Sequence, residues 1–200
     1  LSGCVKIENT LDLREVESIN YHLEVESKYI HKLPWQIKFE QVIPDIFPDA
    51  EFIRGDSNFS LEIKNLRLGD TKEILNKIQK VAGDLSGLSS DLEINTIQRN
   101  LIFFKKYKYN IYFDLNNISK IEDLELTFKI IHPNKANFTK LKNPQLKISK
   151  NLIIWNLIPG QINSLEFSFW SWNKLFVGSF IVSLLVLLAY LVRFYRFKLG

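Results

Sequence analysis

The residue whose chemistry is easiest to name is Cys4. It is the single cysteine of 200 residues and closes Leu1-Ser2-Gly3-Cys4. A lipoprotein signal peptidase reads that pattern before diacylglycerol is joined to the thiol. The product is a thioether anchor, so this chemistry tethers and does not turn over. It calls for the apolar h-region of a signal peptide ahead of the cleavage site. Read without lipidation, Cys4 is a small apolar residue at the start of a strand. A lone cysteine also excludes an intramolecular disulfide framework and thiolate zinc sites.

Other reactive residue types do not converge. His22, His31 and His132 are scattered, and no histidine pair has the three- or four-residue spacing of a helical metal site. Residues 83–90 hold Gly, Asp and Ser but lack the Lys-Ser/Thr pair of a phosphate loop, and they follow a helical pattern where that loop follows a strand. No serine occupies a Gly-x-Ser-x-Gly elbow. Glu8, Asp12, Glu24, Glu26 and Glu125 fall on polar strand faces, where solvation accounts for them. The expectation is a non-enzymatic protein without metal or cofactor.

The densest constellation is aromatic. Phe103, Tyr107, Tyr109 and Phe113 share one strand face, and Phe39, Phe47, Phe52 and Phe59 come from neighbouring elements. Of these, Phe39, Phe47, Phe103, Tyr107, Tyr109 and Phe113 are the candidate lining of a cavity for an acyl chain, because ligand cavities are mostly apolar with a few polar groups. The same rings serve equally as ordinary core. Lys105, Lys106 and Lys108, interleaved with them, are placed either to meet anionic headgroups or to form a solvated face.

The elements that must hold these residues follow from periodicity. Val5–Leu13 and Ile19–Tyr29 alternate with period two and predict an antiparallel hairpin. Trp35–Phe47 places Trp35, Phe39, Val42, Ile43, Ile46 and Phe47 on one helical stripe, with Pro44 expected to kink it or end it early. Short strands are expected around Ala50–Arg54 and Phe59–Leu66. Asp70 and Glu73 read as a capping pair for a helix running to Gly83, and 83–90 as a loop. The remainder is strand-rich: Phe103–Asp114, Leu124–Ile130, a polar basic link with Lys135, Lys140 and Lys142, and a last hairpin of Leu152–Ile158 and Ile162–Trp170 across Pro159-Gly160. The order ββ-α-ββ-α-ββββ predicts an α+β domain over 5–170, an antiparallel sheet with two helices on one face.

Beyond it, Leu175–Val192 is uncharged and apolar, near the minimum length for crossing the hydrocarbon layer, about 30 Å thick. Trp170 and Trp172 on one side fit the headgroup interface. Arg193, Arg196 and Lys198 on the other make 193–200 a cytoplasmic tail by the positive-inside bias. The domain is then extracytoplasmic, held by the lipobox at 1–4 and by one transmembrane helix at 175–192. The chain carries 26 Lys+Arg against 22 Asp+Glu. Three of those cations lie in the tail, so the rest is nearly neutral and no nucleic-acid partner is expected.

Pro159-Gly160-Gln161-Ile162-Asn163, then Phe169-Trp170, an apolar span and a basic tail resemble a known type. With the Leu1-Ser2-Gly3-Cys4 opening, the chain resembles the uncharacterised envelope lipoproteins of cyanobacteria and plastids grouped with the LppM-like lipoproteins of mycobacteria. The resemblance spans almost the whole chain, and its specific motifs sit at the two ends. It implies a membrane-tethered α+β domain with no assigned enzymatic activity, in a plasma or thylakoid membrane, with a membrane lipid or glycolipid as ligand. The alternative is an assembly subunit for membrane-protein partners, since Gly178, Ser179 and Ser183 permit close helix packing in the span.

Overall fold

A computed structural model describes residues 5–15, 18–27, 34–55, 58–86, 91–116, 124–133, 137–141 and 146–198. Cys4, Tyr29, His31, Lys135 and Lys142 lie outside the described residues. The elements are β1 (Val5–Asp12), β2 (Ile19–Ser27), α1 (Pro34–Ile46), β3 (Glu51–Arg54), β4 (Asn58–Leu66), α2 (Leu68–Ser86), β5 (Asp91–Asn100), β6 (Phe104–Asp114), β7 (Leu124–Ile131), β8 (Asn137–Leu141), β9 (Leu146–Ile148), β10 (Leu152–Leu157), β11 (Ile162–Trp172) and α3 (Lys174–Lys198). The predicted ββ-α-ββ-α order is followed by seven strands instead of four before the last helix.

Two sheets form, not one. The first has the order β3-β4-β2-β1-β7-β10-β9 and the second β5-β6-β11-β8. All neighbours are antiparallel except β1 and β7, whose parallel register pairs Val5 with Leu124 and Leu11 with Ile130. The alternation that predicts strands also fixes their faces. Cross-strand partners share a face, so Ile63, Tyr21, Leu11, Ile130 and Ile153 make one continuous apolar row across five strands. The next row is Leu61, Leu23, Asn9, Phe128 and Trp155. Asn9 is tolerated there because its Oδ1 accepts a 2.6 Å hydrogen bond from the Tyr21 hydroxyl.

That apolar face is covered by different partners at its two ends. At the β4 end, Phe39 of α1 is fully buried against Phe59, ring centroids 5.7 Å apart. Arg54 on β3 reaches Glu40 at 3.3 Å and ties the same helix down. At the β7–β10 end the cover is the second sheet, where Phe113 of β6 meets Phe128 at 5.3 Å and Trp155 at 5.7 Å.

The structure corrects five local expectations. α2 starts at Leu68, so Asp70 lies inside its first turn, and Glu73 pairs forward to Lys77 at 2.7 Å instead of back to a cap. The same helix runs on to Ser86 through half of the predicted loop. β5, read as no element, supplies an edge of the second sheet, and the basic link contains β8. Finally, β10 and β11 are not a hairpin: β10 pairs with β7 and β9, and β11 with β6 and β8. Pro159-Gly160 turns the chain from one sheet to the other, with Gly160 at φ 74° donating its N–H to Leu115 O. Asn163 caps the crossing through Ile158 N and O.

α3 follows β11 after Asn173 alone. Its 19 residues Lys174–Val192 have mean hydropathy 2.7, and none is buried in the protein. By length and composition the helix can cross a membrane. Its backbone continues through Arg193, Arg196 and Lys198. Pro44, for its part, sits in the last turn of α1, which ends two residues later as its missing N–H requires.

Candidate functional site

The six aromatic residues singled out in the sequence separate into distinct places. Phe39 packs under α1, and Phe47 is half-buried just past that helix. Phe113 belongs to the contact between the sheets. Tyr107 and Tyr109 lie on the inner face of β6, where Tyr109 stacks on Phe167 at 5.2 Å and on Phe169 at 5.7 Å, and Tyr107 on Phe169 at 5.6 Å. Phe103 does not share this face. It precedes β6, is exposed, and meets Phe180 of α3 edge-on at 5.6 Å. Trp170 is half-buried with the Lys106 ammonium 5.2 Å from its ring centre, and Trp172 is exposed against Phe104 at 4.5 Å.

A cleft of about 530 Å³ opens where α2 crosses between the two sheets. Of the six, Tyr109 lines it. The floor is apolar, made by Leu11 of β1, Ile94 of β5 and the Tyr109 ring. Thr96 and Gln98 join them because β5 alternates and Thr96 lies directly across from Tyr109. Thr71 and Lys72 on α2 complete the rim with Asn95.

The Tyr109 hydroxyl carries the chemistry of this cleft. The side chain is 1% exposed, and the hydroxyl has no hydrogen-bond partner among the described residues. A buried unpartnered donor costs about 1–3 kcal/mol, which a bound acceptor would recover. Burial, with a smaller contribution from Tyr107, pushes its phenol well above the usual tyrosine range. It is therefore a donor at physiological pH and not a base. Thr71, by contrast, is already committed, its Oγ1 donating to Arg67 O at 3.0 Å.

Neither a nucleophile–base pair nor a histidine lines the cleft among the described residues, and no three metal-ligating side chains converge among them. The cleft thus combines apolar residues, one buried hydroxyl donor and one cation, Lys72. Tyr109, a candidate from its strand pattern, is among the lining residues; sequence reasoning pointed to no other of them. It missed Thr71, Lys72, Asn95, Thr96 and Gln98, ordinary polar residues whose convergence depends on how α2 sits over β5.

The profile of one protein family, described as protein of unknown function (DUF3153), matches residues 9–199. The NMR structure of the folded domain of the LppM protein of Mycobacterium tuberculosis is similar to the chain at 12% identity, covering 84% of this chain and 91% of that chain with a TM-score of 0.49. No curated protein matches the chain.

Proposed function

The chain belongs to the DUF3153 family, and from that premise we propose a non-enzymatic, membrane-tethered extracytoplasmic domain that binds or presents a membrane lipid or glycolipid. The observation that carries the reading is the cleft lined by Tyr109, a residue whose buried hydroxyl has no partner among the described residues. Its volume lies within the range of small-molecule sites, roughly 300–1,000 Å³. The apolar floor takes hydrocarbon, the Tyr109 hydroxyl donates to an ester, phosphate or sugar oxygen, and Lys72 at the rim attracts an anionic headgroup.

The tether is α3 as a single transmembrane pass, with Arg193, Arg196 and Lys198 on the cytoplasmic side and a lipid on Cys4. The domain then faces the periplasm or lumen of a plasma or thylakoid membrane. That no residue from Lys174 to Val192 is buried supports this placement, because such an apolar surface is stable in lipid and not in water. It also keeps the cleft within reach of the bilayer, so that a hydrophobic ligand crosses little water.

The test is photocrosslinking of the full chain in nanodiscs with a diazirine-bearing phospholipid. Crosslinks are expected on peptides of α2 and β5, and a cleft-filling Thr96→Trp variant loses them while keeping those on α3. Crosslinks confined to α3 in the unmodified chain would overturn the cleft as a lipid site. A second reading, an assembly subunit, draws on Gly178, around which nothing lies within 4 Å, leaving α3 a close-approach surface for another helix. Copurification of a stoichiometric membrane protein, lost in Gly178→Leu, would favour it.

A further inference from the structure

β5 and β6 are joined by a tip that water does not select. Tight turns in water favour Gly, Asn, Asp and Ser. Here Leu101, Ile102 and Phe103 occupy the tip and keep 49%, 64% and 39% of their surface exposed. The tip is also fastened: Leu101 N–H donates to Phe104 O at 2.8 Å, and Asn173 N–H, at the foot of α3, donates to Phe103 O at 2.9 Å. The Phe103 ring then stands edge-on to Phe180, 84° between planes. Phe180 is more than a helical turn inside the apolar run that begins at Leu175. At 1.5 Å per residue that is about 7 Å past its start.

These contacts fix the tip's depth. If α3 crosses a bilayer, the ring that touches Phe180 lies below the headgroups with it. We propose that Leu101–Phe103 is a second membrane contact, inserted in the leaflet on the domain's side, where it holds the domain at one attitude to the bilayer. The proposal rests on the reading of α3 as a span.

The surroundings fit an anionic lipid surface. Immediately behind the apolar tip, the strand register brings Arg99 opposite Lys106 and Asn100 opposite Lys105. Lys174 begins α3 beside them. Basic residues gathered one rung from an apolar insertion match negatively charged headgroups. Trp170 and Trp172, next along β11, have the amphipathic rings that concentrate at that level.

Single-cysteine reporters in a Cys4→Ser background test this on the full chain in phosphatidylcholine–phosphatidylglycerol vesicles. Ile102→Cys, Leu185→Cys in the span and Lys77→Cys on the exposed side of α2 each carry an environment-sensitive nitrobenzoxadiazole dye. The expected result is blue-shifted emission and quenching by doxyl-labelled lipid at 102 and 185, with iodide quenching at 77 alone. Lipid quenching at 185 with iodide quenching at 102 would overturn the inserted tip and leave the span standing. Failure of lipid quenching at 185 would overturn both. Protection of 102 from both quenchers, with disulfide-linked dimers on oxidation of the unlabelled Ile102→Cys chain, would assign the tip to a second copy of the chain and overturn the lipid contact.

Discussion

At the inner end of the β6–β11 pair, Tyr107, Tyr109, Phe167 and Phe169 stack with at most 2% of each side chain exposed. Just beyond the other end of the ladder Phe103 keeps 39%, and at that end Trp172 keeps 60%. Residue type is alike and so does not decide the difference; place does, since Phe103 precedes β6 and Trp172 pairs with Phe104 on the face opposite to the stack. The neighbouring layer differs as well. The inner end lies over the seven-stranded sheet, with His132 stacked near Phe169 at 6.4 Å. At the outer end Phe103 meets Phe180 of α3 and Trp172 meets Phe104 of β6. One end is a protein core, and the other is the exposed surface for which we propose a membrane contact.

The comparison can be broken from the inside. Phe169→Ala removes a ring from a filled stack, at a cost of about 3–5 kcal/mol. Chemical denaturation of the full chain in micelles should show loss of most of the stability of the folded domain. A cost below about 1 kcal/mol would mean that the inner end is not a packed core.

Leu184→Arg, in the middle of the apolar run, tests the medium at the other end. A centred arginine disfavours insertion by about 2.5–3.5 kcal/mol, so the variant should leave the membrane fraction on carbonate extraction. Unchanged membrane association in a Cys4→Ser background would show that α3 is not the anchor.

Tyr109→Phe sharpens the inner end by separating its ring from its hydroxyl. Without ligand the variant should be more stable by about 1–3 kcal/mol, because a buried unpartnered donor is gone. Phospholipid crosslinking in the cleft should weaken by roughly two- to tenfold, the value of one hydrogen bond. Alkaline titration reads the same group. Burial raises the Tyr21 and Tyr109 phenols in the folded chain, whereas the unfolded chain ionises them near pH 10. The folded state therefore holds more protons above that pH, and stability should fall as pH rises past about 10. Tyr109→Phe should flatten part of that fall.

Phe103→Ser should have the smallest effect on folding, within about 0.5 kcal/mol, since the residue is exposed. A loss comparable to that of Phe169→Ala would erase the distinction between the two ends.

Much of this architecture is legible in the chain. The alternation of β2 and β6 survives residue by residue as buried Tyr21, Leu23 and Val25 and buried Tyr107, Tyr109, Ile111 and Phe113. The stripe of α1 correctly marks Phe39 and Ile43. Periodicity reports which face a residue takes, however, and not which strand lies beside it. That is why β10 and β11, adjacent across Pro159-Gly160, read as a hairpin although they belong to different sheets. β5 escaped because its pattern fades: Leu92 and Ile94 are buried, but from Ile97 onward the strand is exposed. Phe103 was misplaced because the chain bends at Leu101–Phe103 before β6 begins, a change of direction that the apolar run conceals. The cleft was illegible for another reason: its lining residues lie far apart in the chain and none is unusual by itself.

The parallel pairing of β1 with β7 sets the order in which the chain can be completed. Val5 acquires its neighbour Leu124 only after more than half of the chain is available. β2 arrives early by comparison and can close the other side of β1 as a local antiparallel ladder. Until β7 docks, β1 is an open edge with unpaired backbone groups and an apolar face, the form of nascent chain most exposed to intermolecular strand pairing. A chain made from its N-terminus would hold that edge until β7 is available, which makes that interval the natural point for a chaperone to act.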